Sequence, residues 1–115
     1  MGKIKVDGVK YKYIASDPLN IQDIFATQRC LKRKEQIDSL MKSINDGERI
    51  EPILLFQDDN GRVSVLDGHH RLSAYYLAGR TILETWEFTL IKGAYNKKPL
   101  IFKHVRLMQE HGLVV

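Results

Sequence analysis

Asp67-Gly68-His69-His70-Arg71 is the stretch of this chain whose residue types and spacing promise chemistry. An apolar run that reads as a strand stops at Asp67-Gly68, and a segment with helical spacing begins at once. The first N–H groups of a helix have no internal partner and together carry about half a positive charge, which favours phosphate or carboxylate. Gly68 permits close approach of an anion, and Arg71 adds a planar fork of donors. The expectation is a phosphate-binding turn. A simple turn glycine and a surface ion pair would be the plain alternative.

Composition narrows what such a turn can serve. The chain has 115 residues and a formal net charge of +4, with 18 basic against 14 acidic side chains. That length fits one domain, residues 1–115, with a real apolar core. No apolar run approaches the roughly 20 residues that span a bilayer, and the first residues lack the core of a secretory signal, so a cytoplasmic location without membrane attachment is expected. Cys30 is the lone cysteine, which excludes an internal disulfide and the usual cysteine-based zinc site. His69 and His70 with His104 or His111 lack the helical i, i+4 pairing of a zinc motif. The basic excess suits anionic ligands in general. Lys32-Arg33-Lys34 reads either as a solvated helix start or as a DNA or RNA contact, and Lys97-Lys98 is a second, smaller run.

The elements around the turn follow from local pattern. Lys3 to Ile14 alternates polar and apolar residues on both sides of Asp7-Gly8, a hairpin signal. Ser16-Asp17-Pro18 breaks the second strand, and Leu19 to Phe25 is compatible with a short strand followed by one helical turn. Ile37, Leu40, Met41 and Ile44 recur at helical spacing within a helix from about Leu31 or Lys32 to Asp46, capped by Gly47. Pro52 introduces the buried strand Ile53–Phe56, and Asp58–Gly61 turns the chain back into Arg62–Leu66. The acidic turn is not a calcium loop, because His69 falls where a bidentate Glu is required. A helix from His69 or His70 to Ala78 buries Leu72, Leu77 and Tyr75 or Tyr76 and ends at Gly79. Thr81–Ile91 reads as one long strand, straight or bent, with Ile82, Glu84, Trp86, Phe88 and Leu90 on one face. Trp86, Tyr75, Tyr76 and Phe88 read as core residues. A basic loop and a last helix from about Leu100 to His111 complete an α+β chain with a mixed β-sheet and packed helices.

The turn and its surroundings resemble the ParB/sulfiredoxin superfamily over about Leu19 to Leu90. The order is the one seen there: an apolar segment closing on Gln28-Arg29, an amphipathic helix, Pro52 with an apolar strand, and Gly68-x-x-Arg71 opening a helix. The resemblance implies nucleotide binding, with phosphates held by the Gly-x-x-Arg turn. ParB proteins place Glu-Arg-Arg after the glycine and use CTP; sulfiredoxins place Cys-His-Arg there and use ATP. Free-serine kinases have an Asp-Gly-x-His-Arg form, which Asp67 to Arg71 resembles most. His69 stands where the sulfiredoxin nucleophile would be, which argues against that chemistry. His69 and His70 also replace the Glu-Arg of ParB, and too little chain follows Ile91 for the helix-turn-helix and dimerisation parts of a full ParB.

Under this resemblance a nucleotide (ATP, ADP or CTP) with Mg²⁺ is the expected ligand. Gly68 and the N–H groups of His69, His70 and Arg71 would cradle the phosphates, with Arg71 as the charged partner. His70 would donate to a phosphate oxygen, and Asp67 would hold Mg²⁺ directly or through water. Glu51, at the entry to the apolar strand, is the candidate general base of a phosphotransfer or NTPase reaction, or else an exposed loop carboxylate. Gln28 and Arg29 match an element that lies near the nucleotide in these folds. The alternative function is a DNA-associated, ParB-like regulatory or nuclease-like module without its own helix-turn-helix. The sequence leaves oligomeric state open.

Overall fold

A computed structural model of the chain describes residues 2–6, 8–28, 31, 33–93, 103 and 104. Strands β1 (Lys3–Val6) and β2 (Val9–Tyr13) form the expected hairpin, with Val6 opposite Val9 and Gly8 at φ 85° in the left-handed region. Then come β3 (Leu19–Asn20) and a 3₁₀ turn (Ile21–Asp23), where the Asn20 side chain accepts the Gln22 N–H. Helix α1 (Lys34–Asn45) precedes β4 (Ile53–Gln57) and β5 (Val63–Asp67), which lead into helix α2 (His69–Leu77). Strands β6 (Ile82–Leu83) and β7 (Phe88–Lys92) close the described order.

The main sheet has the order β1-β2-β7-β4-β5. It is mixed: β7 runs parallel to β4, while the other pairs are antiparallel. Side chains alternate faces along each strand, so the register sorts the core. Ile53, Leu55, Val65, Phe88 and Leu90 pack with Leu72 and Tyr75 of α2, and Ala74 of α2 packs with Ile37 of α1. On the opposite face Phe56, Leu66 and Ile91 form a second cluster against Ile4, Val6 and Tyr11 of the hairpin. No helix among the described residues is long and apolar enough to cross a membrane.

Two expectations need correction. The stretch Thr81–Ile91 is not one strand: β6 pairs with β3 in a separate two-stranded ribbon, and β7 belongs to the main sheet. Glu84 to Glu87 makes the break. The Glu87 N–H donates to the Glu84 carbonyl (2.9 Å), and the Glu84 N–H donates to Glu87 Oε1 (2.8 Å). A side chain thus closes the turn, and strand propensity carries no sign of it. Consequently Trp86 is not core but 57% exposed, and Ile82 also faces solvent, whereas Phe88, Leu90 and Tyr75 are buried as expected.

Helix α1 begins at Lys34, later than the earliest expected position, with Leu31 already buried ahead of it. Arg29, Cys30, most of the basic loop and the final helix expected over Leu100–His111 lie outside the described residues, Lys103 and His104 excepted.

Candidate functional site

β5 delivers Asp67 to the edge of the core, and Gly68 turns the chain into α2 with φ 115°, a left-handed conformation that favours glycine. As N-cap, Gly68 has no side chain to cap the first N–H groups of α2. A β-carbon at Gly68 would lie 3.2 Å from the guanidinium carbon of Arg71. The position thus requires glycine both for its backbone angle and for room.

Arg71 folds back over that turn and is only 13% exposed. Its Nη1 donates to the carbonyl oxygens of Pro52 and Glu51 (3.2 Å for the latter), and its Nη2 donates to Asp67 Oδ2 at 3.1 Å. Glu51 Oε2 lies 3.9 Å from Nη1. One guanidinium therefore gathers the entry of β4, the end of β5 and the first turn of α2. Of its five N–H donors, three are engaged, leaving Nε–H and one hydrogen on Nη2 for an incoming oxyanion. The Asp67 and Glu51 side chains are 74% and 83% exposed, so both carboxylates face water beside the turn.

The two histidines diverge. His69 is 3% exposed, and its Nε2 accepts the Thr27 N–H at 3.0 Å, which makes the ring neutral with its proton on Nδ1. Thr27 Oγ1 donates to the Val65 carbonyl (2.6 Å), so the segment carrying Gln28 is clamped against β5 and the start of α2. Behind His69, Ser73 Oγ donates to the His69 carbonyl (2.7 Å), and the fully buried His104 donates from Nε2 to Ser73 Oγ (3.0 Å). Burial above all lowers the His104 pKa to about 4; the hydrogen bond to the His69 carbonyl opposes this, and nearby His70 adds to the lowering. His70 is partly exposed; burial, then the positive charge of Arg33 ahead of α1, lowers its pKa. Its Nε2 is enclosed and has no hydrogen-bond partner. His104 Nδ1 is likewise buried without a partner, so both imidazoles keep one enclosed, uncommitted nitrogen.

The structure therefore brings together Asp67, Gly68, Arg71 and Glu51, with His70 on the same first turn. It turns the His69 ring inward, leaving only its backbone N–H at the turn. Gln28 follows the clamped Thr27, and Arg29 lies outside the described residues. Among the described residues there is no group of three or more His, Cys, Asp or Glu side chains that could hold a metal ion by themselves. Thr27 and Arg33 were missed from sequence, since Thr27 meets His69 only where its segment lies along β5, and Arg33 acts on His70 only once α1 packs on α2. A cavity of about 390 Å³ opens next to the turn rather than in it, lined by Pro52, Ile50, Tyr75, Arg80, Glu87 and Trp86.

The model of the ParB N-terminal domain family matches residues 7–92, ending on the last residue of β7. The chain belongs to this family. The match takes in the whole Gly68–Arg71 turn, α1, and every strand of the main sheet except β1. No curated protein is significantly similar to the chain.

Proposed function

We propose that this ParB-like domain binds the phosphates of a nucleoside di- or triphosphate at Gly68–Arg71. The observation that supports it is the guanidinium of Arg71, held across the uncapped start of α2 by the Pro52 carbonyl and Asp67, with two donors still uncommitted. The N–H groups of His70 and Arg71 at the uncapped start of α2, together with these two donors, would supply what an oxyanion requires. Asp67, exposed and one-sidedly paired, suits a Mg²⁺ ion shared with the phosphates, which would neutralise charge on the transferring group. Glu51, facing water next to Arg71, is placed to accept a proton from an acceptor hydroxyl if the phosphoryl group is transferred. Such a transfer would make the domain a phosphotransferase, with free serine as the first acceptor to try, given the Asp67-Gly68-His69-His70-Arg71 form of the turn.

The test is a thermal-shift panel of ATP, ADP and CTP with and without Mg²⁺. Ligand at a hundredfold excess over Kd stabilises by about 2.7 kcal/mol, a shift of several degrees in a domain of this size. Arg71→Ala should abolish the shift. No shift with any nucleotide would remove the proposal. Phosphate release, or phosphoserine formed from serine, would then distinguish an enzyme from a binder.

A further inference from the structure

The register of the hairpin has a consequence unrelated to the Gly68 turn. Lys3 stands directly opposite Lys12, and Lys5 opposite Lys10. On its other side Lys12 stands opposite Lys92 of β7. Residues paired across a sheet, and residues two apart along a strand, point to the same face. Lys3, Lys5, Lys10, Lys12 and Lys92 therefore form a block on one face of three adjacent strands, about 5 Å apart across the strands and about 7 Å apart along them. All five are exposed. None takes part in an ion pair among the described residues.

Such a block works against folding, because like charges directly opposite one another on a sheet destabilise it. Lysines do protect exposed sheet edges from pairing with other chains, and this accounts for Lys3 and Lys5 on β1, the edge strand. It does not account for Lys10 and Lys12 on β2 or Lys92 on β7, which are interior strands. By alternation Lys92 shares its face with Phe88 and Leu90, the face that α2 packs against, so the lysines line an open shelf of the sheet beyond the helices.

We propose that this shelf binds the phosphate backbone of a nucleic-acid duplex without reading its sequence. Five point charges in two adjacent rows, one of three (Lys3, Lys12, Lys92) and one of two (Lys5, Lys10), suit a regular row of phosphates, and lysine ammonium groups attract them without fixing a base. Among the described residues the lysine shelf presents no exposed aromatic side chain on which an unpaired base could stack, Phe88 of the same face being buried, which disfavours a single strand. Among the described residues it also presents no exposed apolar anchor for a lipid surface: Ile4, Val6 and Tyr11 lie on the opposite face, packed against Phe56, Leu66 and Ile91.

The test is fluorescence anisotropy with a labelled duplex DNA of mixed sequence, a duplex RNA and single strands, over a salt series. Five phosphate contacts predict a slope of log affinity against log salt of about −4.5, hence about 500-fold weaker binding at 200 mM than at 50 mM salt. Lys10→Gln with Lys12→Gln should bring the slope to about −2.7 while raising the melting temperature, since cross-strand repulsion is relieved. Lys34→Gln with Lys42→Gln on α1, equal in charge removed, should leave the slope near that of the parent. An equal loss in both double variants, no duplex binding at low salt, tighter binding to single strands, or capture only by phosphatidylserine vesicles would each overturn the proposal. DNA and RNA duplexes bound alike would fit a backbone contact, and preference for one would identify the duplex form that the shelf accommodates.

Discussion

The guanidinium of Arg71 lies against Gly68, 3.2 Å from where a β-carbon would stand, and the two residues define one another's geometry. Because Gly68 adopts φ 115°, α2 starts without a capping side chain, and because Gly68 has no side chain, Arg71 can cross the turn to reach Asp67 and the Pro52 carbonyl.

Gly68→Ala should therefore cost about 1–3 kcal/mol of stability from backbone strain alone. It should also make the Arg71 guanidinium give way by a few tenths of an ångström, disturbing its placement over the turn. Chemical denaturation measures the first effect. Nucleotide-induced thermal shift measures the second, and it should shrink by more than the loss of stability explains.

Arg71→Lys retains the charge but not the fork. An ammonium cannot serve Asp67 and the Pro52 and Glu51 carbonyls together and still face a ligand. We expect a loss of roughly 1–3 kcal/mol in nucleotide affinity, the range of a charged hydrogen bond, read by titration calorimetry. Affinity equal to the parent's would mean that the ligand does not use the fork.

Glu87→Gln addresses the turn that breaks the expected long strand. Glu87 is 11% exposed, accepts two bonds from Arg80 and one from the Glu84 N–H, and interacts with the Tyr75 hydroxyl. Removing its charge should destabilise the fold by about 1–3 kcal/mol. Tyr75, raised to about 12 first by burial and then by Glu87, should titrate lower in the variant yet stay above 10, because the burial remains. Ultraviolet difference titration reads this directly.

His104 predicts a pH dependence. Its pKa is about 4 in the fold against the ordinary value of 6.5, so between these values the unfolded chain binds more protons than the folded one. Stability is complete above pH 6.5 and falls as pH drops towards 4, by as much as about 3 kcal/mol. His104→Gln retains a donor for Ser73 and should lose this part of the pH dependence. Melting curves of parent and variant at pH 7, 5.5 and 4.5 test it, and parallel behaviour of the two proteins would refute it.

Much of the fold is written in short-range pattern. The Asp7-Gly8 hairpin, the helical spacing of Ile37, Leu40, Met41 and Ile44, and the strand-to-helix change at Gly68 depend on neighbours within a few residues, and α1, α2 and the β4–β5 pair stand where that pattern put them. The candidate site was legible for the same reason, since Asp67, Gly68, His70 and Arg71 are contiguous.

The partners of those residues were decided by tertiary structure. That Arg71 reaches the Glu51 and Pro52 carbonyls, that Thr27 holds His69 neutral, and that Arg33 bears on His70 follow from packing segments 19 to 42 residues apart, which no local periodicity encodes. Trp86 was misplaced because strand propensity ignores a side chain that caps its own turn. The lysine shelf shows the division most sharply. The alternation of Lys3, Lys5, Lys10 and Lys12 is plain in the sequence, but only the strand order, with β7 next to β2, adds Lys92 and turns a polar hairpin face into a concentrated positive charge.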